Sequence, residues 1–197
     1  MGAPEPPGSR RPGGRTARNR AAVVEATLAE LARHGYPGLT VENVAERSGV
    51  HKTTVYRRWG GVDGLIVDAL DAAGEDDWPA PVTGSWETDL RAVAYEVVDT
   101  FTDPERAAVP SAVVHAAFHS ERAATALHGF LAGRHSRAAD AIARGALPGS
   151  VDAAAVVRSV TAPLYCRLFI TGERVNRDVA DQAVAAAVAA VRAGVYG

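Results

Sequence analysis

The stretch that most constrains the fold is residues 40–59, TVENVAERSGVHKTTVYRRW. Val41, Val44 and Ala45 recur at i, i+3 and i+4, which lines up one apolar face of a short helix. Thr40, just before them, has a hydroxyl able to accept from an orphan N–H at the helix start. Gly49 can take the left-handed conformation that ends the helix, and Val50 then points back toward the core. A second short helix is expected over about residues 51–58, with Val55 and Trp59 four apart on its inner face. Small Ala45, Gly49 in the turn and β-branched Val55 let the two helices cross closely and steeply. That spacing predicts a helix-turn-helix, the arrangement whose second helix enters the DNA major groove.

The outward face of the second helix carries Lys52, Thr53, Thr54, Tyr56, Arg57 and Arg58, all donors, with no acid among them. Duplex DNA presents phosphate oxygens and base-edge acceptors, so a donor-rich helix is its complement. A basic octapeptide on its own would be an ordinary solvated face. Its coupling to the Ala–Gly–Val spacing is what points to double-stranded DNA. Thr40, Asn43, Arg15 and Arg18 complete the candidate contact set.

Residues 20–70 resemble the N-terminal domain of the TetR family of transcriptional regulators. The resemblance runs through HGY at the end of the first helix, VAERSGV, TTVYRRW and the start of the following helix. It implies that Lys52, Thr53 and Tyr56 read base edges while Thr54, Arg57 and Arg58 grip phosphates; for Arg57 either role is open. Three positions depart from the pattern. His51 stands where many members carry Ser, a better N-cap. Glu42 stands where some carry a base-reading Arg; an acid cannot bind phosphate but can accept from a cytosine amino group. Val62 replaces a common phosphate-binding Lys, a loss that the arginines preceding the first helix could offset.

The net charge of −2 over 197 residues suits a DNA binder only once the chain is divided. Residues 1–60 hold ten Arg/Lys against five Asp/Glu, and residues 61–197 hold eleven against eighteen. A basic head and an acidic body would orient the molecule on a polyanion. Cys166 is the only cysteine, so no intrachain disulfide can form and a reducing cytoplasm is expected. The longest Ala/Val run, residues 183–191, falls far short of the ~18 residues of a membrane span, and the arginine-bearing N-terminus lacks the apolar segment of a signal peptide. The expectation is a soluble protein with no membrane partner.

Residues 1–15, rich in Pro, Gly and Arg, are expected to be a disordered basic arm whose Arg10, Arg11 and Arg15, with Arg18 and Arg20 following, reach phosphates or the minor groove. A head then spans 16–60 and a body 61–197. In the head, a first helix over 16–34 should bury Val24, Leu28 and Leu31. A helix over 62–73, with Leu65, Ile66, Ala69 and Leu70 inward, should tie head to body. The rest reads as helices alone: one capped by Ser85 and carrying Trp86, Leu90, Val93, Val97 and Phe101; one opened by Pro104; a long one capped by Ser120; one capped by Asp152 and kinked or interrupted at Pro163; and a last one capped by Asp178. No segment alternates with period two, so the class is all-α: a three-helix head with a helix-turn-helix plus a larger helical domain for ligand binding and dimerisation.

The segment APLYCRLFITGERVN, residues 162–176, resembles part of the regulatory domain of one TetR branch. It implies a homodimer through the last two long helices, which apolar Ala/Val faces there also favour. A homodimer would read an inverted-repeat operator, and by resemblance it would be a repressor released by a small-molecule effector; a transcriptional activator or an effector-free DNA binder is the alternative. Tyr95, Phe101, His115, Phe118, His119, Phe130 and Tyr165 stand out against the Ala/Val background as candidate pocket residues. His115 and His119 are i, i+4, but no cysteine or paired acid sits at ligand spacing, so neither a metal nor a cofactor is expected. Cys166 reads as a buried, inert thiol. No nucleophile elbow, phosphate-binding glycine loop or paired carboxylates appear, so catalysis is not expected.

Overall fold

The computed structural model describes residues 13–75 and 78–197, and among them every regular element is helical. In order these are α1 (Gly13–Gly38), α2 (Val41–Ser48), α3 (Lys52–Trp59), α4 (Val62–Glu75), α5 (Trp86–Thr102), α6 (Pro104–Ala117), α7 (Glu121–Arg144), α8 (Ala153–Cys166) and α9 (Arg177–Arg192). The all-α expectation holds. Arg10 and Arg11 lie outside the described residues, but residues 13–15, expected to be disordered, form the first turn of α1, so Arg15 is helical.

The buried stripe of α1 differs from the expected one. Val23, Ala26, Thr27, Glu30 and Leu31 face inward, while Val24 and Leu28 are only half-buried. Two polar groups tolerate the interior because each has a partner. The Thr27 hydroxyl donates to the Val23 carbonyl at 2.8 Å, and Glu30 accepts from Arg47 Nε at 2.6 Å. Gly35, at φ 64°, breaks the helix direction near its end.

Several caps also differ from the sequence reading. Thr40, Ser120 and Asp152 cap α2, α7 and α8, accepting from the backbone N–H of Asn43, Ala123 and Ala155. Ser85 instead spends its hydroxyl on the Glu87 carboxylate at 2.8 Å. Asn176 rather than Asp178 caps α9, accepting from Val179 N at 3.0 Å. Pro163 neither breaks α8 nor ends it. The helix runs on to Cys166 and then widens into a π-type turn, Arg167–Thr171, closed by Gly172 at φ 68°.

Two apolar clusters form the interior. The first joins α1–α4 to the facing small residues of α6 and α7: Val23, Leu31, Val44, Val55, Leu65 and Ile66 pack with Ala112, Val113, Ala116 and Ala123. The second joins α5 and the C-terminal half of α7 to α8 and α9, around Leu90, Ile142, Val157, Val160, Leu164 and Val184. Small side chains allow these helices to approach closely. At the α3–α4 junction the chain leaves no room for a side chain: a Cβ on Gly64 would sit 1.8 Å from the Trp59 carbonyl oxygen.

Ala153–Thr171 is long and apolar enough to cross a membrane by length and composition, which the length of the longest Ala/Val run did not suggest. In the fold one side of it packs into the second cluster, with Val156, Val157, Val160 and Leu164 inward, and Arg158 and Arg167 lie on its other faces.

Candidate functional site

The geometry of the helix-turn-helix follows from its local chemistry. Gly49 sits at φ 68°, and its N–H caps α2 on the Glu46 carbonyl. α3 then starts at Lys52 with His51 as its N-cap. The His51 ring does the capping expected of a serine, at longer range: Nδ1 lies 3.4 Å from Thr53 N and 2.5 Å from Thr53 Oγ1. Val55 is fully buried and Trp59 nearly so, which leaves the opposite face outward.

On that face Lys52, Thr53, Tyr56, Arg57 and Arg58 are exposed and Thr54 is half-buried. Lys52 and Arg57 make no hydrogen bond or ion pair with the described residues, so both charges are available to a polyanion. Arg58 lies over the Trp59 ring at 5.0 Å and reaches the Thr16 carbonyl at 3.4 Å, which draws it toward the start of α1 beside exposed Arg15 and Arg18. The Tyr56 hydroxyl donates to Glu42 Oε1 at 3.3 Å. The negative charge of Glu42, then burial, raises the phenol above its usual pKa and keeps it a donor. Thr40 and Asn43 are exposed at the start of α2, with the Thr40 hydroxyl occupied as the cap.

Between the two apolar clusters lies a cleft of about 720 Å³. Its walls come from α1 (Leu28), α4 (Ala69, Leu70, Ala73), α5, α6, α7, α8 and the turn after it. All four phenylalanines of the chain, Phe101, Phe118, Phe130 and Phe169, line it, with Tyr165 and Trp78. Of the seven candidate pocket residues the structure brings Phe101, Phe118, Phe130 and Tyr165 together here, and three lie elsewhere. Tyr95 donates to Asp181 at 3.0 Å under the Arg177 guanidinium, fastening α5 to α9. His115 and His119 are exposed where α1 meets α6, their Nε2 atoms 3.1 Å apart and both rings against Tyr36. Ring size singled these three out, but hydrogen bonding and ring contacts hold them away from the cleft. Among the described residues no three His, Cys, Asp or Glu side chains gather as metal ligands.

Sequence reasoning missed the polar part of the cleft. Trp78 Nε1 donates to both Glu96 oxygens at 2.8 and 2.9 Å, and Arg134 meets Glu96 at 3.3 Å while covering the Trp78 and Phe130 rings. His135 Nε2 lies 3.3 Å from the Thr161 hydroxyl, and burial, with the Arg158 charge second, lowers its pKa. A lone Trp in a loop was the available signal for Trp78. Cys166 was expected to be buried and is exposed, at the rim of the cleft, where Phe118 and Ile170 are exposed as well.

Both halves of the described fold are similar to known proteins. Residues 23–69 match bacterial regulatory proteins of the tetR family, and residues 80–187 match the tetracyclin repressor-like C-terminal domain. The chain is 32% identical over 150 residues to the HTH-type transcriptional regulator AqdR of Rhodococcus erythropolis, covering 76% of this chain and 72% of that one. It is 26% identical over 159 residues to the HTH-type transcriptional regulator YdeS of Bacillus subtilis, covering 79% and 80%. The crystal structure of the TetR family transcription regulator SCO0332 superposes with a TM-score of 0.65 at 30% identity, over 85% of this chain and 94% of that one. The chain belongs to the TetR family of DNA-binding transcriptional regulators.

Proposed function

We propose that the protein is a homodimeric repressor that leaves an inverted-repeat operator when a small molecule occupies the cleft. The cleft carries this reading. Its volume falls within the ~300–1,000 Å³ range of ligand sites, and one wall comes from α1 of the DNA-binding head and from α4, the helix that follows it. Leu28, Ala69, Leu70 and Ala73 face it from α1 and α4, so a molecule wedged there bears on the helices that orient α3. An occupant that prefers one spacing of the two heads shifts the population away from the DNA-bound state. A roomy cleft argues against the effector-free alternative.

Dimerisation is supported by the faces that α8 and α9 leave open. Ala162, Pro163 and Cys166 are exposed along α8 and Ile170 in the turn after it, and Ala185, Ala186 and Ala189 along α9 with Ala193 just beyond its end. Two such small-residue faces from each subunit suit a four-helix bundle. Repression is supported by a 39% identity over 75 residues to the DNA-binding transcriptional repressor TetR of Mycobacteroides abscessus, a match that covers 36% of this chain and 38% of that one. In this reading Lys52, Thr53 and Tyr56 read bases, Thr54, Arg57 and Arg58 hold phosphates, and Arg15 and Arg18 flank them.

Sedimentation of the protein with a duplex selected from a random pool tests the proposal. The expected result is a dimer on an inverted repeat, its recognition helices ~34–36 Å apart or slightly more. A micromolar monomer bound one-to-one to a half-site would overturn it.

A further inference from the structure

The aromatic wall of the cleft contains one phenol without a hydrogen-bond partner among the described residues. Tyr165 sits edge-on to Phe101 at 6.1 Å and stacked on Phe169 at 6.4 Å. Tyr165 is half-buried, and its hydroxyl has no hydrogen-bond partner among the described residues and is not sealed from solvent, so an occupant of the cleft can reach it. Burial pushes its pKa up to about 12, so it remains a neutral O–H at physiological pH.

The charges around it are already matched. Glu96 faces Arg134 and the Trp78 N–H, and His135 shares a hydrogen bond with Thr161. An ionic occupant would therefore lose its hydration without gaining an uncompensated counter-charge. Thr100 is the other wall hydroxyl without a partner among the described residues, but an aliphatic alcohol donates more weakly than a phenol. The remaining surface is overwhelmingly apolar, with flat rings on several sides.

We infer that the cleft takes an uncharged, mainly apolar molecule bearing one acceptor oxygen, a carbonyl or ether, to which the Tyr165 hydroxyl donates. The inference rests on the reading of the cleft as a small-molecule site. It adds the chemistry of the molecule and the residue that tells it from a hydrocarbon.

Displacement of the fluorescent apolar probe N-phenyl-1-naphthylamine from the full-length protein tests it, with benzophenone, its hydrocarbon counterpart diphenylmethane and the anion 4-benzoylbenzoate as competitors. Benzophenone should compete about five- to tenfold better than diphenylmethane, the worth of one net hydrogen bond, and the anion far worse than either. Tyr165→Phe should erase the ketone's advantage and leave diphenylmethane unchanged, which also shows the cleft intact; Thr100→Val should retain the advantage. Equal competition by ketone and hydrocarbon in the wild type would overturn the inference while leaving the cleft a ligand site. So would an advantage that survives Tyr165→Phe or vanishes in Thr100→Val, or strong binding of the anion. If neither the probe nor any competitor binds, the small-molecule reading of the cleft falls, and this inference falls with it.

Discussion

The indole N–H of Trp59, the last residue of α3, donates to Asp68 Oδ2 at 2.8 Å, and the other oxygen of that carboxylate accepts from Arg20 Nε at 2.7 Å. One side chain of α4 thus joins the end of the recognition helix to α1. Asp68→Ala would strand the indole N–H of buried Trp59, while the more exposed Arg20 keeps Glu75 at 3.6 Å. The expected cost is ~1–3 kcal/mol of stability, with a matching loss of affinity for every DNA sequence, since the whole helix loses its orientation. Thermal unfolding and fluorescence anisotropy measure the two effects. A lowered melting temperature with wild-type DNA affinity would show that α3 is held by its apolar contacts alone.

Gly64→Ala should be far more damaging than its size suggests. The new Cβ would meet the Trp59 carbonyl oxygen at 1.8 Å and its carbon at 2.7 Å, and neither backbone atom can swing aside. Opening the α3–α4 junction should cost at least ~1–3 kcal/mol. Gly74→Ala, on the same helix with nothing within 4 Å of the added methyl, is the control. It should be neutral or stabilising, by up to ~1 kcal/mol of helix propensity. Equal urea midpoints for the two variants would contradict the close approach.

Glu42 places a negative charge on the face expected to meet DNA, where it also holds the Tyr56 hydroxyl. Glu42→Gln should tighten binding to random duplex severalfold at low salt, and screening should remove the gain as salt rises. Discrimination between operator and random sequence should fall, because Tyr56 loses the charged partner that orients it. Anisotropy titrations at several salt concentrations would show both trends. A salt-independent gain would mean that the effect is not electrostatic.

His135 ties stability to pH. Burial, then the charge of Arg158, lowers its folded-state pKa below the ordinary 6.5, so the fold favours the neutral ring. As pH drops through 6.5 the unfolded chain takes up a proton that the folded chain refuses. The contribution is therefore complete above 6.5, declines below it and stops changing beneath the lowered pKa. Urea unfolding between pH 8 and 5 should show a smaller acid loss in His135→Gln than in the wild type. Parallel curves would remove His135 from the acid response.

The DNA-binding half was legible because its determinants are local. Thr40 caps α2, Gly49 turns left-handed, and Val41, Val44, Val55 and Trp59 go inward, all through contacts within one or two helical turns of sequence. Most helix starts were legible for the same reason. The failures were near misses in capping, Asn176 for Asp178 and Ser85 uncapping, where two or three candidate side chains compete and the path of the chain selects one.

The body was legible as helices and only in part as a site: Phe101, Phe118, Phe130 and Tyr165, singled out in the sequence, line the cleft, and Tyr95, His115 and His119 do not. Glu30 looks like a surface acid until Arg47, seventeen residues on, is folded against it. Tyr95 and Tyr165 look equivalent in the chain, yet Asp181 claims the first hydroxyl and nothing among the described residues claims the second.

Periodicity of apolar residues and the placement of caps and glycines were enough to specify the nine α-helices of the described residues and the outward face of α3, since each depends on neighbours three or four residues away. Whether an aromatic ring fills a core or borders a cleft depends on how closely two separate clusters meet. That distance is set by contacts between residues tens of positions apart, such as Glu96 with Arg134 and α1 with α6. No spacing along the chain encodes it, and so the extent of the cleft, the phenol in it that has no partner among the described residues, and its contact with α1 and α4 emerged only from the packed fold.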